Sequence, residues 1–177
     1  GQESMQWKPD YTLQLSDYQS PQTEINPEFT SFSIYSGSKI DFSFTMNSVS
    51  YMFTKNFNDK VRAVFHKNLA VLIAPDSLTA QQLLRFGQYD FDLVELYSRK
   101  IREKIYHEKG AFTNSNFFEP IFDALQEEMN TVSAHVFKAT EFGKDSLLLE
   151  KEHEKVLRRL RELDDFCANC KPRKSKC

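Results

Sequence analysis

From Phe29 onward apolar and polar positions alternate with a period of two: Phe32 and Ile34 are interleaved with serines, then Ile40, Phe42, Phe44 and Met46 alternate with Asp41, Ser43 and Thr45. Successive side chains of a strand point to opposite faces, so this pattern predicts two half-buried strands. Ser36-Gly37-Ser38 between them has the turn chemistry of a hairpin. Val49, Tyr51 and Phe53 continue the alternation, and Val61, Ala63 and Phe65 resume it after the polar stretch Lys55 to Lys60. The expectation is a meander of about four strands. Residues 1–28 are polar and carry Pro9, Pro21 and Pro27; their one alternation, Tyr11-Thr-Leu13-Gln-Leu15, predicts an arm with a single edge strand.

Leu69-Ala-Val-Leu-Ile73 is a short continuous apolar run, after which Pro75-Asp76-Ser77 supplies a stop and an N-cap. The period then lengthens. Leu83, Leu84, Gly87, Phe91, Val94, Ile101 and Ile105 recur at steps of three and four, which predicts a long central helix from near Leu78 to His107, with Gly110 as terminator. A second helical pattern opens at Asn116, accepts Pro120 in its first turn and runs towards Ala139. A third starts after Asp145 and continues through Leu157, Leu160 and Leu163. Strands first and helices after make an α+β domain. The chain divides into an extended arm (1–28), a strand-rich part (29–75), a helical part (76–166) and a Cys-containing basic tail (167–177), all within one domain.

Composition narrows the partners. The 23 basic and 25 acidic residues give a net charge of −2, so the overall attraction to polyanions that marks nucleic-acid binders is absent. Mean hydropathy is −0.55, and no apolar run approaches the roughly 18 residues of a membrane span. Sixteen Phe, seven Tyr and one Trp put unusual weight on aromatic packing. Gly1-Gln2-Glu3-Ser4 carries no initiator Met and reads as a processed end with a leading Gly left by tag removal.

The segment Leu83-Leu-Arg-Phe-Gly-Gln-Tyr-Asp-Phe-Asp-Leu-Val-Glu-Leu-Tyr-Ser-Arg-Lys100 resembles the signature helix of the bacterial domain of unknown function 922 family, exported zinc-peptidase-like proteins in which it reads Leu-Leu-x-His-Glu-Gln-x-His-Phe-Asp-x-x-Glu-Leu-Tyr-x-Arg-Lys. Leu83, Leu84, Gln88, Phe91, Asp92, Glu95, Leu96, Tyr97, Arg99 and Lys100 agree. Phe86 stands at the first His, Gly87 at the catalytic Glu and Asp90 at the second His. Two imidazoles four residues apart share one helical face and hold zinc, while the neighbouring Glu acts as base on the metal-bound water. Phe86 cannot ligate, Gly87 has no side chain to accept a proton, and Asp90 alone is too few for a site needing three protein ligands. An interior helical Gly also costs about 1 kcal/mol against Ala, which implies that something packs closely on Gly87.

The family's Thr-x-His-Gly element has its nearest counterpart in Thr140-Glu141-Phe142-Gly143, where Phe142 again replaces His. Leu13-Gln-Leu-Ser-Asp17-Tyr18 is loosely similar to its early Leu-x-Trp-x-Asp-Phe element. The likeness touches residues 11–143 and is strong at 83–100. It implies a zincin-like fold, export to the periplasm or cell surface after signal-peptide removal, and a pseudoenzyme with no cofactor and no bound metal. The role it implies is binding or scaffolding of a protein or envelope ligand. Without the likeness the same helix reads as core, with Glu95 and Arg99 an ordinary (i, i+4) pair on a solvated face.

An alternative keeps a hydrolase with a relocated metal or acid/base site built from Asp90, Asp92 and Glu95, although Asp92 lies about 200° round the helix from Asp90. His66, His107, His135 and His153 have no second His three or four residues away, and the Glu-rich run around His153 reads as solvated surface. Cys167, Cys170 and Cys177 are read first as disulfide partners, within Cys167-x-x-Cys170 or from either of these to Cys177, and second as half of a zinc site. Arg158, Arg159 and Arg161 are interleaved with acidic residues and read as a solvated face; only the last seven residues are plainly cationic.

Overall fold

The computed structural model describes residues 3–173. The α+β class holds, with two small sheets and four helices among these residues. Strand β1 (Ser4–Gln6) and strand β4 (Ser38–Phe42) flank β5 (Val61–His66), both antiparallel to it. Strand β2 (Glu24–Ile25) and strand β3 (Ser33–Tyr35) flank β6 (Val71–Ala74), the first parallel and the second antiparallel.

The expected hairpin does not form. β3 and β4 follow one another closely yet enter different sheets, Tyr35 opposite Val71 and Ser38 opposite Phe65. Gly37 makes the crossing: the His66 amide donates to its carbonyl at 2.8 Å, and a Cβ there would overlap the His66 backbone. The edge strand of the arm is β1, not residues 11–15, where Leu13 is buried and Leu15–Asp17 forms a 3-10 turn. The alternation at Val49, Tyr51 and Phe53 belongs to a short helix, α1 (Ser48–Phe53), because Asn47 caps it by accepting from the Ser50 amide at 2.9 Å. Only Tyr51 of the three turns inward, and Val49 and Phe53 are exposed.

Helix α2 (Ser77–Glu108) is capped by Asp76, whose carboxylate accepts from the Thr79 amide, and is buried along most of its length. It lies between the sheets on one side and α3 (Phe118–Ala139) and α4 (Ser146–Glu162) on the other. Of its 32 residues 18 are buried, so a charged group on almost any face of α2 must find a partner. Aromatic rings fill the sheet side: Phe42, Phe44, Phe57 and Phe118 pack in edge-to-face and tilted pairs with centroids 5.1–5.5 Å apart. The chain beyond α4 is tied to the domain by Asn58 Nδ2 donating to the Cys170 carbonyl at 2.9 Å, and is braced within itself by a Cys167–Cys170 disulfide and an Arg173–Asp165 ion pair. Cys177 lies outside the described residues.

Candidate functional site

The three positions that depart from the zinc-binding pattern are packed, each differently. Phe86 is buried against Phe137 of α3, with centroids 4.7 Å apart. Phe142 meets the same ring at 4.8 Å, so Phe137 joins the two phenylalanines that stand where the resemblance would place histidines. The turn after α3 makes this approach. Glu141, Phe142 and Gly143 all have positive φ, the Phe142 amide donates back to the Phe137 carbonyl, and Gln82 of α2 donates to the Phe142 carbonyl at 3.0 Å. Phe142 itself remains 46% exposed and also meets Phe32.

Gly87 is covered by Tyr18. A Cβ at 87 would overlap the Tyr18 hydroxyl, and the ring is held in the core by Phe65 at 5.4 Å. That hydroxyl is buried with no hydrogen-bond partner among the described residues, and burial pushes its pKa well above the ordinary tyrosine value. The close packing inferred from an interior helical Gly is therefore present.

Asp90 is half-buried on the floor of a cleft of about 370 Å³ between the β3–β4 crossing and α3. Ser133 Oγ donates to its Oδ1 at 2.6 Å and Ser38 Oγ to its Oδ2 at 3.0 Å. Burial raises its pKa, and the serine hydrogen bonds pull in the opposite direction without cancelling the shift. The Asp90 carboxylate has no Lys, Arg or His within ion-pair distance among the described residues.

Asp92 and Glu95 point elsewhere, and the three carboxylates do not converge. Glu95 is buried rather than solvated: its Oε1 accepts from Arg99 Nε at 3.0 Å and Arg102 Nη1 at 2.9 Å. Arg102, almost fully buried, also donates to the carbonyls of Val61 and Phe166, which binds α2 to β5 and to the segment after α4. Asp92 accepts from Trp7 Nε1 at 2.8 Å and Gln88 Nε2 at 3.1 Å, and meets His153 Nε2 at 2.5 Å. His153 thus leaves the solvated face expected for it. The sign was in the sequence, since His153 shares its helical stripe with Leu149, Val156 and Leu160, all buried. The pair sits where two cavities of about 330 and 410 Å³ meet, sharing Thr12, Gln88 and His153.

The chain matches no family model, no curated protein and no solved structure. Among the described residues no three His, Cys, Asp or Glu side chains are grouped as metal ligands. Among the described residues no helix is long and apolar enough to cross a membrane.

Proposed function

We propose that this chain is a non-catalytic relative of zinc peptidases, a pseudoenzyme of the bacterial envelope that binds or scaffolds a partner through the cleft a peptidase would use for substrate. One observation carries the reading: the helical positions where such an enzyme holds two metal ligands and a base are occupied by Phe86 packed on Phe137, Gly87 under Tyr18, and Asp90 among serines. A zinc ion needs about three protein ligands with an open fourth position. Here one carboxylate faces the cleft.

The test is elemental analysis of protein purified without chelator, together with cleavage of an unstructured protein substrate. Zinc below about a tenth of an equivalent and no cleavage support the reading. Near one equivalent, or cleavage blocked by chelator, overturns it.

A second reading, a hydrolase with a relocated acid/base site, is favoured by the His153–Asp92 pair at the meeting point of two cavities. An imidazole held by a carboxylate is oriented as general bases are. Metal-independent hydrolysis abolished by His153→Ala would establish that reading in place of the first.

A further inference from the structure

The three buried carboxylates among the described residues have a cation or an imidazole beside them: Asp17 has Lys67 at 3.5 Å, Asp92 has His153, and Glu95 has two arginines. Asp90, half-buried, has only serine hydroxyls among the described residues. Holding a carboxylate partly away from water without a counter-charge is unfavourable, and a cation brought to it would relieve that cost. A carboxylate accepts at about four lone-pair sites, of which the serines occupy two, so Asp90 retains acceptor capacity towards the cleft.

Three aromatic rings share the lining around that capacity with serines, Asn130, Ile34 and Ala134. Phe86 and Phe137 stand on one side, and Tyr35, 64% exposed, lines the rim. Ring faces carry negative potential and attract cations, more strongly where water is excluded. The cleft, about 370 Å³, is far larger than a dehydrated metal ion requires, and one carboxylate with hydroxyls is a poor ligand set for a divalent ion. A carboxylate beside aromatic rings matches a bulkier, softly hydrated positive group.

We propose that the cleft over Asp90 binds an organic ammonium group, with Asp90 as counter-ion and Phe86, Phe137 and Tyr35 as its aromatic surround. This rests on the non-catalytic reading of the same cleft and names the chemistry of its ligand. A lysine side chain and a quaternary headgroup both present that chemistry.

The experiment titrates three probes into isotope-labelled protein and follows backbone amide shifts: butylammonium for the lysine side chain, choline for the headgroup, and 3,3-dimethylbutanol as the uncharged isostere of choline. The expected result is a saturable shift at Ser38, Asp90 and Ser133 with at least one ammonium probe, and none with the alcohol. The tighter of the two ammonium probes identifies the source. Asp90→Asn keeps the size, its amide oxygen still accepting from one serine while its NH2 donates to the other hydroxyl, and is expected to weaken binding about tenfold or more. Tyr35→Ala, at an exposed rim position with little folding consequence, is expected to weaken it several-fold.

Equal binding of the alcohol, unchanged affinity in Asp90→Asn, or no saturable shift with either ammonium overturns the proposal. Zinc content and substrate cleavage are measured on the same preparation. Metal-dependent cleavage overturns the non-catalytic reading whatever the probes do, whereas no cleavage and no ammonium binding overturns this inference alone.

Discussion

The hydroxyl of Tyr18 occupies the space that a Cβ on residue 87 would take. The two residues are far apart in sequence, one in the arm and one in the middle of α2, so the contact is purely tertiary. Gly87→Ala ought to gain about 1 kcal/mol of helix propensity. Instead it is expected to cost about 1–3 kcal/mol, because the ring behind the hydroxyl is wedged against Phe65 and cannot retreat freely. Tyr18→Phe removes a buried, unpartnered hydroxyl and is expected to be neutral or stabilising. Combining the two should recover much of the loss, a coupling readable in a double-mutant cycle of urea midpoints. Additive effects would show that Tyr18 does not set the preference for Gly. The same overlap bars a Glu at position 87, so introducing a His-Glu-x-x-His helix here requires removing the Tyr18 side chain as well.

Glu95 neutralises two guanidiniums inside the protein. Glu95→Leu leaves Arg99 and Arg102 buried beside one another and is expected to cost about 3–5 kcal/mol. Glu95→Gln keeps an acceptor and should cost less. Chemical denaturation of both variants tests this, and a loss under about 1 kcal/mol in Glu95→Leu would mean that the carbonyls of Val61, Leu160 and Phe166 hold the arginines unaided.

Asp90 gives the stability a pH dependence of unusual sign. Its pKa in the fold is raised above the ordinary 3.8, so between those two values the folded state holds a proton that the unfolded chain has lost. Folding is then linked to proton uptake, and this group's contribution declines as pH rises through the window. Asp90→Asn removes the linkage, so the variant should gain stability relative to wild type on going from about pH 3 to pH 7. Parallel curves for the two proteins would contradict the assignment.

Trp7 is the one tryptophan, and its indole donates to the carboxylate that also holds His153. His153→Leu should leave Asp92 with Trp7 and Gln88 alone and cost about 1–2 kcal/mol. The Trp7 emission should shift even while the protein stays folded, because the charge beside the indole changes its surroundings. An unchanged spectrum with unchanged stability would mean that the His153 contact is not formed in solution.

The helices were legible because their information is local. Asp76 and Asp145 are N-caps, Gly110 follows the end of α2, and steps of three and four bury Leu83, Leu84, Phe91, Val94, Ile101 and Ile105. Strand periodicity was legible too, but not partnership. Alternation says which face of β3 or β4 is buried and nothing about which strand lies alongside, so adjacent segments looked like a hairpin although each pairs with a strand farther along the chain. At Val49–Phe53 the alternation misled, because the segment is a helix capped by Asn47 in which Val49 and Phe53 share an exposed face and Tyr51 alone turns inward.

What the sequence determined by itself was the α+β class, the long central helix, and the absence of imidazoles at positions 86 and 90, since these follow from residue types and spacing along one chain. What only the tertiary structure decided was the meaning of each charge on that helix. Asp90, Asp92 and Glu95 are three acidic residues within six positions, yet one faces serines in a cleft, one a tryptophan and a histidine, and one two buried arginines. A carboxylate's role depends on what lies within a few ångströms of it, and those neighbours come from β4, from the arm, from α3 and α4, and from the next turn of α2, brought together by burial of the apolar faces between them.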